Sequence, residues 1–284
     1  MSFAGHQRRK SFGQYWINDH SILQKILEAA DLHSYDRVIE IGPGRGALTQ
    51  KLLDSHIDLV HAIEIDKGLI SGLRQRFSDY SRFSLLEGDV LSVPLTPLDG
   101  LPANKVVANI PYNITGPILQ RLLGRLGVTP DNKFELLVLL MQKEVADRIL
   151  AMPGQSSFSA LSVRTQLVAK CRSVCEVPPC CFTPSPKVDS KVIIIEPFKI
   201  QDRLPLDIES NVEKIISAAF LERRKKLRNT LIKFANLKTL EQLANDIGIT
   251  LDQRPQEISP MNWIDLAKGV FMPNLNIDEK VLRL

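Results

Sequence analysis

Short runs of consecutive apolar residues alternate along the chain with stretches whose apolar positions recur every three or four residues. "RVIEIG" (37–42), "LVHAIEI" (59–65), "FSLLEGD" (83–89), "KVVANI" (105–110) and "FELLVLLM" (134–141) are β-rich, and each predicts a strand. Helical spacing follows at 47–55 and 67–77, starts again near Thr115, and covers "QKEVADRIL" (142–150). Strands that alternate with helices predict βαβ units and a parallel sheet, so the expected class is α/β, doubly wound and Rossmann-like. "KVIIIEP" (191–197) predicts one late strand.

The pattern then changes. "EPFKIQDRLPL" (196–206) carries two prolines and no period, which predicts a division into an α/β domain over 1–198 and a smaller all-helical domain over 199–284. Beyond it no stretch reads as a strand. Val212, Ile215, Ile216, Ala219, Phe220, Leu227, Leu231 and Phe234 share helical spacing and predict one amphipathic helix, with shorter helices over 239–249 and 262–271.

Composition narrows the class only a little. At 284 residues, 44% hydrophobic and 24% charged, the chain has room for one large domain or two modest ones. A net charge of +4 permits a nucleic-acid partner without demanding one. The longest apolar run, "LLVLLM" (136–141), is far shorter than the ~20 residues of a membrane span. The opening "MSFAGHQRRKSFGQYW" has no apolar core of a signal peptide. Together these predict a cytoplasmic protein with no membrane partner. Cys171, Cys175, Cys180 and Cys181 follow a C-x3-C-x4-C-C spacing with no histidine nearby, so they are expected to be small packing residues and no metal is expected.

Chemistry enters where strands end. "IEIGPGRGAL" places Gly42, Gly44 and Gly46 directly after the first strand, where glycine permits a tight turn and close approach of a ligand. Glu64 ends the second strand, 22 residues beyond Gly42, where a carboxylate can accept both hydroxyls of a ribose. Gly42-x-Gly44-x-x-Ala47 also satisfies the dinucleotide fingerprint, so glycines and carboxylate alone leave NAD and S-adenosylmethionine both open. Two features favour the second: Asp89 at the end of the third strand, placed to accept from an adenine amine, and "NIPY" (109–112) at the end of the fourth. Hydride transfer has no use for that motif, whereas methyl transfer to a base amine does. The amine's lone pair is delocalised into the ring, and two acceptors aimed at its hydrogens, the Asn109 side-chain oxygen and the Ile110 carbonyl, would favour the attacking form. Pro111 stiffens the loop and Tyr112 offers a face to an extruded base. Asn109 as a turn cap and Tyr112 as a core residue is the competing interpretation.

In order, "FGQYWIND", "EIGPGRG", "AIEID", "EGDVL", "NIPYNIT" and "FTPSPKVDS" resemble the rRNA adenine N6,N6-dimethyltransferase family, most closely its small-subunit (KsgA) branch. The resemblance runs from about Arg9 to about Leu266. It implies dimethylation of two adjacent adenosines near the 3′ end of 16S small-subunit rRNA, with S-adenosylmethionine as cofactor and the immature small ribosomal subunit as partner. By resemblance the cofactor-binding set is Gln14, Tyr15, Ile17, Glu40, Gly42, Gly44, Glu64, Ile65, Asp89, Val90 and Asn109. The catalytic set is Asn109, Ile110, Pro111 and Tyr112, with Phe182 closing the other side of the target base. A phenylalanine before "TPSP" is equally the mark of a loop anchor. The family's Gly-Gln-Asn/His-Phe-Leu is here Gly13-Gln14-Tyr15-Trp16-Ile17, which alters the detail of cofactor contact.

Two basic clusters are expected to meet RNA phosphates: Arg8, Arg9 and Lys10 near the start, and Arg223, Arg224, Lys225, Lys226 and Arg228 in "ERRKKLRN". Lys225, Lys226 and Arg228 should project from the amphipathic helix away from its apolar stripe, with Arg223 close to the stripe. Lys187 and Lys191, flanking the Phe182 loop, would add to the basic surface. A solvated helix face is the alternative for such a run. The whole chain is expected to be a monomer. The competing functions are the large-subunit branch that confers antibiotic resistance, a non-catalytic assembly or RNA-binding factor of the same fold, and, more distantly, an NAD-dependent oxidoreductase.

Overall fold

A computed structural model describes residues 14–272. Along the chain run β1 (Trp16–Ile17), α1 (His20–Ala30), β2 (Arg37–Ile41), α2 (Ala47–Asp54), β3 (Leu59–Glu64), α3 (Lys67–Arg76), β4 (Phe83–Glu87), β5 (Lys105–Asn109), α4 (Thr115–Leu123), β6 (Leu136–Gln142), α5 (Lys143–Leu150), α6 (Ala160–Gln166), β7 (Ala169–Val177), β8 (Phe182–Thr183), β9 (Ser190–Pro197), α7 (Leu206–Leu221), α8 (Leu227–Leu231), α9 (Leu237–Asp246) and α10 (Pro260–Phe271). They divide into two compact units. The first holds residues up to Leu123, Asn132–Ala146 and Cys171–Pro197; the second holds Gly124–Asp131, Asp147–Lys170 and the chain from Phe198. The division is therefore not a single cut.

The first unit is built on a seven-stranded sheet in the order β4-β3-β2-β5-β6-β9-β7. The ladders β4-β3, β3-β2, β2-β5 and β5-β6 are parallel, and β9 joins β6 antiparallel. Both faces are covered, which is why the strands read as unbroken apolar runs. On one face Ile22, Leu23 and Ile26 of α1, Leu52 and Leu53 of α2, and Leu69 and Leu73 of α3 pack against Val38, Val60, Val107, Val138 and Val192. The alternate strand positions Ile39, Ile63, Val106, Leu139 and Ile193 are as deeply buried on the other face. From β2 the chain steps outward through β3 and β4, then returns to β5 on β2's other side. That reversal makes a topological switch point between β2 and β5.

The second unit is helical. Val212, Ile215, Ile216 and Ala219 of α7 pack with Trp263 and Leu266 of α10 at its core. Its separate chain segments meet at Glu209, a buried carboxylate that accepts from the Arg203 guanidinium and from the Gly127 N–H, each at 2.9 Å. The single helix expected over 212–234 is two. After Leu221 the N–H groups of Leu227 and Arg228 donate to the carbonyls of Gln253 and Leu251, so the helical ladder cannot continue through "ERRKK". Leu227 and Leu231 stay buried because α8 resumes the same apolar face after the turn.

Candidate functional site

The carboxyl ends of β2, β3, β4 and β5 open onto one cavity of about 560 Å³ in the first unit, at the switch point where such sheets bind ligands. Strand ends bring its lining together: Glu40 and Ile41 from β2, Glu64 from β3, Gly88 and Asp89 just past β4, and Asn109 from β5. Every residue expected to hold the cofactor lines this cavity, as do Ile110, Pro111 and Tyr112.

The floor is the turn after β2. Gly42 and Gly44 have φ of +65° and +60°, a backbone that side-chain-bearing residues rarely adopt. A Cβ at Gly44 would lie 2.5 Å from the Trp16 ring, whereas at Gly42 it would meet nothing, so Gly42 leaves open space beside the ligand path. The Gly44 N–H donates to Glu64 Oε2 at 3.2 Å, and the Gly46 N–H to the Pro43 carbonyl at 2.9 Å. Glu64 Oε1 accepts from the Asp66 N–H at 2.9 Å. Both Glu64 oxygens are thus oriented by backbone, and each keeps lone-pair capacity for a ligand hydroxyl.

Burial pushes the Glu64 carboxyl above its ordinary range, and it acts more strongly on the fully buried Glu40, which rises to about 8 although Thr49 Oγ1 donates to it at 2.6 Å. Nearby Glu64 adds to that rise. Below pH 4.5 the group is protonated folded or unfolded; between there and about 8 only the unfolded chain loses the proton, so stability falls as pH rises. We expect Glu40→Gln to flatten the decline in melting temperature between pH 5 and 8. A variant with the wild-type slope would remove Glu40 as its source.

Asn109 is held at the mouth. Its Nδ2 donates to the Tyr15 carbonyl at 2.7 Å, while its Oδ1, though buried, has no hydrogen-bond partner among the described residues. A buried acceptor without a donor is unfavourable on its own, which suits an atom meant to receive a ligand N–H. Tyr112 follows three residues later, its hydroxyl 2.5 Å from Ser190 Oγ and its ring stacked on Tyr15 with centroids 5.2 Å apart. Burial raises the Tyr112 phenol to about 12, so it stays neutral. Asp89 is half-buried with Oδ1 accepting from the Leu91 N–H at 2.9 Å.

Phe182 is placed differently from the other expected site residues. It was expected to close one side of a target base, yet it is 3% exposed and absent from the cavity lining. The alternation of β8 explains this: with Phe182 paired to Ile17 and turned into the core, the next residue, Thr183, reaches the cavity. Phe182 itself packs in the core beside the cavity.

The RNA-contact residues fare unevenly. Arg8, Arg9 and Lys10 lie outside the described residues. Lys187 and Arg224 are exposed. The other cations of "ERRKKLRN" lie around the turn between α7 and α8 rather than along one helix face: Lys225 pairs with Glu222 at 2.7 Å, Arg228 with Asp252 at 2.5 Å and Lys226 with Asp252 at 3.5 Å. Arg223 donates to the Ser156 carbonyl. Among the described residues no group of three or more His, Cys, Asp or Glu is arranged to hold a metal, and no helix is long and apolar enough to cross a membrane.

Sequence reasoning missed two positioning groups. Trp16 lies against Gly44 with the Arg45 guanidinium 4.1 Å over its ring. Asp66 caps α3 and accepts from Gln14 Nε2 at 2.9 Å, tying the 14–18 segment to the loop that orients Glu64. Asp66 stands inside the quoted "AIEID", and its position two residues past the strand-end carboxylate was the available signal.

Comparison with known proteins agrees with this geometry. A protein of Prochlorococcus marinus called ribosomal RNA small subunit methyltransferase A is 63% identical over 270 residues, covering 95% of this chain and 96% of its own. One of the same name from Synechococcus is 57% identical over 95% of this chain and 98% of its own. Among solved structures, a dimethyladenosine transferase from Plasmodium falciparum superposes with a TM-score of 0.72 at 28% identity, over 88% of this chain and 95% of that one. The 23S rRNA methyltransferase ErmE superposes with a TM-score of 0.71 at 23% identity, over 90% and 99%, a likeness of fold alone. The profile of the family described as ribosomal RNA adenine dimethylase matches residues 5–270, and the chain belongs to that family.

Proposed function

We propose that this chain uses S-adenosylmethionine to dimethylate the N6 amines of two adjacent adenosines in 16S small-subunit rRNA, acting in the cytoplasm as a monomer on the immature small subunit. The observation that carries the reading is Asn109: a buried side-chain oxygen without a partner, at the end of β5, in one cavity with Glu64 and Asp89. The small-subunit branch is favoured because relatives at 54 to 63% identity over 94 to 95% of this chain carry that name.

When bound, S-adenosylmethionine supplies a methyl group on a sulfonium already activated toward nucleophiles. Glu64 would hold the ribose hydroxyls, Asp89 the cofactor's adenine amine, and the open space at Gly42 would admit the methionine part. A dinucleotide suits the turn less well. Phosphates are cradled by backbone N–H groups at a helix N-terminus, and here those of Gly44 and Gly46 are already engaged, by Glu64 and Pro43. Calorimetric titration tests this part: S-adenosylmethionine should bind and NADH should not, and the reverse would overturn it.

The target adenine must be extruded or unpaired before its amine reaches Asn109 Oδ1. Tyr112 would support its ring, and Asn109 with the Ile110 carbonyl would accept the two amine hydrogens. No strong general base is needed; positioning the amine in line with the methyl carbon and sulfur is the protein's main contribution. After the first transfer one N–H remains, so the pocket must still hold an amine that has lost one of its two contacts.

The basic turn after α7 is proposed as part of the RNA surface. Its ion pairs are exposed and therefore weak, so Lys225, Lys226 and Arg228 can exchange carboxylates for phosphates at little loss. Replacing all three with alanine should weaken RNA binding and lower its salt dependence by about one slope unit per phosphate contact removed. An unchanged slope would return them to surface ion pairs.

A further inference from the structure

The ring of Tyr15 and the ring of Tyr112 form an offset stack with centroids 5.2 Å apart and planes 28° apart. A base inserted between two rings needs them about 7 Å apart, twice the base-stacking rise, so this pair has no room for one. Tyr112 is not free to swing away and make room, because its hydroxyl is tied to Ser190, which is fully buried on β9. Tyr15 precedes a two-residue strand and is partly buried at the edge of the core, and its carbonyl accepts from Asn109 Nδ2. The same residue thus touches both groups proposed to receive the adenine, one through its ring and the other through its carbonyl. The Asn109 bond does not need the Tyr15 ring, since it is made to the backbone carbonyl.

We infer that Tyr15 is a specificity-determining placeholder: its ring occupies the stacking face of Tyr112 until a purine displaces it. This rests on the reading of Tyr112 as the support for the target base. Displacement sets a threshold. A base that stacks more strongly than a tyrosine ring takes the face, whereas a weakly stacking pyrimidine does not. The apparent affinity for the target is lowered by the fraction of protein in which Tyr15 holds the face. An aromatic pair of this kind corresponds to about two- to tenfold in an equilibrium constant.

The test compares wild type, Tyr15→Phe, Tyr15→Ala and Tyr112→Ala on two readouts. One is quenching of a short single-stranded RNA carrying 2-aminopurine flanked by uridines, titrated without cofactor. The other is KM and kcat for methyl transfer to small-subunit particles lacking the modification. Tyr15→Ala should bind the probe about two- to tenfold tighter and lower KM by a similar factor. In the cofactor-free titration Tyr15→Phe, which keeps the ring, should bind the probe as wild type does, and this separates a ring effect from a folding defect. A Tyr15→Ala protein that binds the probe more weakly or unchanged, while Tyr15→Phe binds it as wild type does, overturns the placeholder. Quenching that survives Tyr112→Ala would instead show that Tyr112 is not the base support, so the underlying reading would fail separately.

Discussion

Replacing Asn109 with alanine should lower methyl transfer about 10²–10³-fold, the usual loss when one preorganised polar group at a reacting centre is removed. The substitution deletes a buried acceptor in the cavity that has no partner among the described residues, and with it the Nδ2 bond to Tyr15. Cofactor affinity should stay within about tenfold, because Glu64 and Asp89 are untouched. Initial rates with S-adenosylmethionine, beside calorimetric binding of the cofactor alone, separate the two effects. A variant that retains wild-type kcat would remove Asn109 from the chemistry.

Lys105→Met should destabilise the fold by about 3–5 kcal/mol, the usual cost of leaving a buried charge uncompensated. Lys105 Nζ lies 2.7 Å from Asp36 Oδ2, and it also donates to the carbonyls of Ala30 at 3.1 Å and Asp31 at 2.6 Å. One ammonium therefore closes the carboxyl end of α1 and neutralises Asp36 at the start of β2. Burial alone would raise the Asp36 carboxyl. Lys105, Asn104 and the His33 N–H outweigh it and hold the group below its ordinary range. Lys105 begins β5, at the end opposite Asn109, so cofactor binding per folded molecule should not change. Denaturant unfolding of Lys105→Met, and of Lys105→Met with Asp36→Asn, checks the cause. The double variant should recover part of the loss, and a single variant as stable as wild type would contradict the account.

What the sequence made legible was what each strand carries by itself. β2, β3, β5 and β6 appear as apolar runs because both faces of a parallel sheet are buried, and Glu64, Asp89 and Asn109 stand at strand ends where an open sheet binds ligands. What stayed illegible depends on distant partners. β1 and β8 have two residues each, too few for a period, and exist through pairing with each other across 165 residues. That pairing decides that Phe182 faces the core. The α7–α8 break is written in the carbonyls of Leu251 and Gln253, not in the apolar stripe, which runs through it in phase. Glu209 joins Gly127 over a separation of 82 residues, and nothing near either residue announces it. α1 is a different case. The Asp19 cap and the spacing of Ile22, Leu23, Ile26 and Ala30 are plain in the chain, between two motifs that the helix itself has no part in.

The central claim is best tested by incubating the protein and labelled S-adenosylmethionine with small-subunit particles that lack the modification, with large-subunit RNA alongside, and then digesting both RNAs to nucleosides. The account predicts N6,N6-dimethyladenosine at two positions per small-subunit RNA and no label in the large-subunit RNA. Label confined to the large-subunit RNA, or tight binding of the particles with no methyl transferred, would contradict it.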